Sequence, residues 1–99
     1  MTDETAARLA ACNIQLVAEA KGHCLLGRDA CIALVERTEA GLGSIGSTGI
    51  MTETGLAYLV WRDGRALLVG KGSERAAESE QVEAVRRFSD DLKAALEHS

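Results

Sequence analysis

Apolar positions fall into three regimes along this chain. Near the N-terminus, Ala6, Ala10, Ile14 and Val17 recur at spacings of three and four, with Leu9 and Leu16 widening the stripe. This is the periodicity of an amphipathic helix, and it predicts one over residues 2–21. Thr2 is suited to be its N-cap, Asp3 and Glu4 favour the positive end of the helix dipole, and Gly22 is placed to stop it. Near the C-terminus, Val82, Val85, Phe88, Leu92, Ala95 and Leu96 form a second stripe, with charged residues between them. A helix over 73–98, capped by Ser73, is predicted there.

The middle of the chain follows a different rule. In Leu56–Lys71, two apolar runs flank Asp63-Gly64, a pair suited to the φ > 0 conformations of a type I′ hairpin turn. That turn sets the register. Trp61 should face Ala66 and Leu59 face Leu68 on one side, with Val60 facing Leu67 and Tyr58 facing Val69 on the other. A second hairpin is expected over His23–Arg37, turning at Arg28-Asp29, and a further glycine-rich strand over 44–51. The fold class is therefore α+β: an antiparallel sheet of four to five strands flanked by N-terminal and C-terminal helices, in a single domain over residues 1–99.

Both faces of the Asp63-Gly64 hairpin are apolar. An antiparallel sheet with one face in water alternates apolar with polar residues. Either the two helices cover opposite faces, or one face awaits another chain. The second alternative leaves that face to a homodimer partner or a bound polypeptide.

Composition narrows the function. The 99 residues are 46% hydrophobic and 26% charged, which suits one folded core. No apolar run approaches the roughly 20 residues that span a bilayer. The acidic start Met1-Thr2-Asp3-Glu4 lacks a basic signal region, which points to the cytoplasm without membrane attachment. The net charge of −4, with Arg86-Arg87 the only basic doublet, argues against nucleic acid as a partner.

Candidate chemistry is sparse. Gly41-Leu42-Gly43-Ser44-Ile45-Gly46 matches G-x-G-x-x-G, but Ser47–Thr52 is no helix on which a phosphate could sit. The alternative function, a small-ligand-binding protein or enzyme, would use residues 41–49 as a glycine-rich ligand loop, with Gly41, Gly43 and Gly46 at the ligand. His23, Cys24 and Cys31 lack the pairing that structural zinc uses, so no metal or cofactor is assigned. Cys24 and Cys31 should share a sheet face away from His23, as buried small hydrophobes. For Cys12, Arg8 is the one activating neighbour in the sequence, and no mechanism follows from that pair. His98 lies at the chain end. Asp90 and Asp91 are adjacent on a helix and point apart, and nothing selects Glu36 or Glu53 as a catalytic acid. No catalytic residue is assigned.

The stretch Gly22-His23-Cys24-Leu25-Leu26-Gly27-Arg28-Asp29, continuing to Ile32, Leu34 and Glu36, resembles the first hairpin of class I type III secretion chaperones. Val82–Phe88 resembles their last helix. Those chaperones carry an extra helix between their third and fourth strands, for which the glycine- and threonine-rich residues 38–55 are unsuited. The resemblance implies a homodimeric, non-enzymatic chaperone whose apolar sheet surface holds an extended segment of a secreted protein, with Leu25, Ile32 and Leu34 on one hairpin and Tyr58, Val60, Leu67 and Val69 on the other as the candidate partner-binding residues.

Overall fold

The computed structural model describes residues 3–39, 41–53, 55–70 and 72–97. The expected Thr2 cap and His98 lie outside them. The order is α1 (Asp3–Ala11), β1 (Gln15–Ala20), β2 (His23–Arg28), β3 (Cys31–Thr38), β4 (Gly41–Thr52), β5 (Gly55–Arg62), β6 (Arg65–Gly70), β7 (Ser73–Ala76) and α2 (Ser79–Glu97). The strands form one antiparallel meander in chain order. The fold is α+β as expected, but among the described residues the sheet has seven strands rather than four to five.

The two extra strands come out of the two predicted helices. At the N-terminus, α1 ends at Ala11 instead of running to residue 21. Asn13 takes a left-handed conformation, φ 61°. The Ile14 amide donates to the Leu9 carbonyl at 2.9 Å and the Asn13 amide to Ala10 at 3.0 Å. This is a Schellman stop with asparagine in the glycine position, and Leu9 and Ile14 are both buried across it. Leu16 and Val17 therefore sit on a strand. Gly22, φ 83°, belongs to the tight turn that pairs Ala20 with His23.

At the C-terminus, Ser73 opens β7 rather than capping a helix. Gly70 pairs with Ser73 and Leu67 with Ala76. The helix begins six residues later, where the Glu78 amide donates to Gln81 Oε1 at 2.9 Å, half of a capping box. The apolar stripe explains the boundary, since it begins only at Val82.

The Asp63-Gly64 hairpin forms in the predicted register, with Trp61 opposite Ala66, Val60 opposite Leu67, Leu59 opposite Leu68 and Tyr58 opposite Val69. Asp63 and Gly64 both have positive φ, 52° and 77°, as a type I′ turn requires. The β2–β3 hairpin also forms. Its closing pair is Arg28 and Cys31, so the turn residues are Asp29-Ala30, one position beyond the expected Arg28-Asp29.

Both helices pack on the same face of the sheet. Leu9 of α1 joins Val85, Phe88, Leu92 and Ala95 of α2 in one core with Cys24, Leu26, Cys31, Ala33, Val35, Ile50, Ala57 and Leu68. Arg28, at the end of β2, ties the layers together. Its guanidinium donates to the Cys12 carbonyl at 3.1 Å and to Asp91 at 2.7 Å, and lies 5.7 Å from the centre of the Phe88 ring. The helices do not reach the end of β5, where Trp61 on the same side stays 64% exposed.

Candidate functional site

The opposite face of the sheet carries the candidate partner-binding residues. Strand alternation puts every second residue there, and the ladders can be followed across it. One row runs Gln15, Gly27, Ile32, Gly49, Tyr58, Val69 and Glu74, each paired with the next. The neighbouring row holds Ala18, Leu25 and Leu34 on one flank, and Val60, Leu67 and Ala76 on the other. All seven expected residues therefore share one face. Among the described residues no helix covers it.

The seven are not equally accessible. Leu25, Leu34, Tyr58, Val60, Leu67 and Val69 are half-buried by their neighbours. Ile32 is only 3% exposed. A bulge in β1 between Leu16 and Ala18 brings Val17 toward Gly27, so that a Cβ on Gly27 would meet both Val17 and Ile32 methyl groups. Ile32 thus serves as floor, and Val17 and Met51, 52% and 42% exposed, stand at the surface near it. Leu56, paired with Met51, also belongs to this face. The sequence reading missed Val17, Met51 and Leu56. Asn13 as a helix stop and Lys21-Gly22 as a two-residue turn are the signals that would have placed Val17 on a strand.

β4 divides the face. Its residues there include Ser47 and Gly49. An apolar depression of about 230 Å³ lies on this face, lined by Ala18, Leu25, Leu34, Leu56 and Tyr58 among others. Gly49 is obligatory for the pairing, since a Cβ would collide with the Ala57 carbonyl oxygen. The rim is polar. His23 and Glu36 are paired at one corner and Arg62 and Arg65 at the other corner of the same end. Arg62 also meets Glu74 at 2.7 Å.

The glycine-rich segment is strand rather than ligand loop. Gly41, Gly43 and Gly46 lie within β4, paired with β3. Gly43 and Gly46 line an open cleft of about 560 Å³ on the helix side, with Ser44, Thr48, Ser89 and Lys93, and Gly41 does not line it.

The thiols are free and separate. Cys24 and Cys31 share the helix-covered face, with Cys24 opposite Val35 and Cys31 opposite Arg28, while His23 points to the other side. Burial pushes both thiols above their ordinary pKa, which disfavours the reactive thiolate. Among the described residues no three His, Cys, Asp or Glu side chains gather as a metal site would need, and no helix is long and apolar enough to cross a membrane.

Comparison with protein-family models, curated proteins and solved structures finds no match to this chain.

Proposed function

We propose that this chain is a non-enzymatic protein-interaction module whose working surface is the outer face of its sheet. It acts in the manner of a small secretion chaperone, holding an apolar polypeptide of another protein. The observation that carries the reading is the uncovered apolar side chains of β2, β3, β5 and β6, gathered on one face and bounded by a polar rim. Its cytoplasmic location fits three free thiols, which persist where the redox poise is reducing.

The test is suppression of aggregation. Added to an unfolding model protein, the wild-type chain should slow the rise in light scattering at equimolar ratio, and Val60→Glu with Leu67→Glu should abolish the effect. Equal scattering with and without the wild-type chain would remove the reading.

A second reading draws on the cleft between β4 and α2, where Gly43 and Gly46 meet the hydroxyls of Ser44, Thr48 and Ser89 and the amine of Lys93. A small anion is the ligand this lining suits. Millimolar inorganic phosphate should then shift the amide NMR signals of Gly43 and Gly46. Unmoved signals would dispose of it.

A further inference from the structure

The sheet is split at one end. β4 and β5 pair only through Gly49–Thr52 and Gly55–Tyr58. Beyond this, residues 41–48 of β4 continue beside β3 alone, and residues 59–62 of β5 continue beside β6 alone. Continued in register, the ladder would set Trp61 against Gly46, but no such pair forms, and Trp61 stays 64% exposed. The cause lies in β4. From Thr48 to Ile45, and again from Ile45 to Leu42, three positions along β4 match two along β3. Each extra residue makes a bulge, and a bulge bends the strand that carries it. Glycine allows the close approach that follows, since a Cβ on Gly46 would come within 3.2 Å of the Leu34 carbonyl oxygen.

The edge of residues 43–48 that faces away from β3 therefore has no strand partner, and among the described residues no loop backbone bonds to it. Such a row of amides and carbonyls is a template for another strand. α2 runs beside it. Ser89, Lys93 and Leu96, at spacings of four and three, turn one flank of the helix to the cleft of about 560 Å³ whose other wall is β4. Lys93 is the one charged group in that lining, and it makes no ion pair among the described residues.

We infer that this cleft takes an extended acidic segment of another protein, added as a further strand to the free edge of β4 with a carboxylate at Lys93. This rests on the second reading above, that the cleft takes an anion, and it names what carries the charge. A small anion could answer Lys93 but not a row of alternating backbone donors and acceptors. An added strand answers both: its main chain supplies affinity, and its alternate side chains supply specificity. Residues two apart in the segment point to the same side. On the helix side an aliphatic residue would meet Ile45 and Leu96, and an acidic residue two positions away would meet Lys93. Residues 43–48 extend over roughly 15 Å, the length of about five residues of such a segment. The site is separate from the outer face, so the two can be tested apart.

The experiment is amide NMR of the full chain titrated with three probes: the pentapeptide acetyl-Thr-Val-Thr-Glu-Thr-amide, its glutamine counterpart, and inorganic phosphate. The glutamate peptide should shift the signals of Gly43, Ser44 and Gly46 and slow their hydrogen exchange. The glutamine peptide should bind about fivefold more weakly. Lys93→Gln should remove that difference and, because Lys93 is exposed, keep the wild-type circular dichroism. Methylating alternate backbone nitrogens of the glutamate peptide should abolish its binding. Phosphate that shifts these signals while the peptide does not would overturn the inference and leave the cleft as an anion site. Silence to both would overturn both. Equal binding of the two peptides, or shifts that fall instead on Leu25 and Val69 of the outer face, would overturn the inference as well.

Discussion

The two faces of this sheet are built from similar side chains and have different fates. On the helix side, Leu26, Ala33, Val35 and Leu68 lose nearly all contact with water beneath Phe88 and Leu92. On the outer side, Leu25, Leu34, Val60 and Leu67 are half-buried by lateral neighbours alone. Hydrophobic content therefore does not distinguish them. What differs is whether the same chain supplies a cover, and this separates residues that hold the fold from residues available to a partner.

Truncation should expose that difference most strongly. Phe88→Ala removes a fully buried ring at the centre of the helix–sheet contact and should cost about 3–5 kcal/mol in chemical denaturation, enough to unfold much of a small domain. Leu67→Ser on the outer face should cost the isolated chain about 1 kcal/mol or less, because less burial is lost. It should nonetheless lower dye binding or self-association more than Phe88→Leu does. If the two truncations were equally destabilising, the outer face would be core, and the contrast between the faces would collapse.

Arg28 tests how the covered face stays covered. Its guanidinium links the end of α1, through the Cys12 carbonyl, to Asp91 and Phe88 of α2. Arg28→Ala should cost about 1–3 kcal/mol, since a charged group's hydrogen bonds are lost together with its stacking on the ring. Arg28→Lys should recover only part of this, because an ammonium lacks the planar fork that meets two acceptors at once. Matching unfolding midpoints for wild type and Arg28→Ala would show the helices to be held by apolar packing alone.

A smaller effect is expected at the hairpin that supplies most of the outer face. Gly64 has φ 77° with open space around the position of a Cβ. Gly64→Ala should therefore cost about 1 kcal/mol through backbone strain rather than collision. Amide exchange should accelerate first in β5 and β6, leaving α2 protected.

That hairpin also marks what the sequence discloses. Two residues with an obligatory backbone conformation fixed the pairing of eight others, so the β5–β6 part of the outer face is legible in the sequence. The β1 strand could not, because Ala6, Ala10, Ile14 and Val17 keep helical spacing straight through the point where Asn13 reverses the chain. Periodicity records which residues are apolar, and a left-handed asparagine overrides it without disturbing the pattern. β7 was hidden for the opposite reason: Ser73-Glu74-Arg75-Ala76 has no apolar pattern, and only its pairing with β6 makes it a strand. The side on which each helix packs is a tertiary property that neither stripe encodes.

The smallest effect, and the one most specific to the covered face, concerns its thiols. Burial raises the pKa of Cys24 and Cys31 from 9.0 in the folded chain. The folded state thus keeps its protons where the unfolded state has begun to lose them. The associated stability is fully present below pH 9.0 and is lost as pH rises from there through the raised values. Denaturation midpoints should fall across that alkaline window, and Cys24→Ala with Cys31→Ala should flatten the fall while lowering stability at pH 7 through the lost packing. A thiol placed on the other face supplies the control. In Val69→Cys, an aromatic disulfide reagent should modify the new thiol faster than Cys24 or Cys31 at pH 8, since position 69 is less buried than either native thiol. Raising the protein concentration should slow that reaction if a second copy covers Val69, and should leave Cys24 and Cys31 unaffected, because their cover belongs to their own chain.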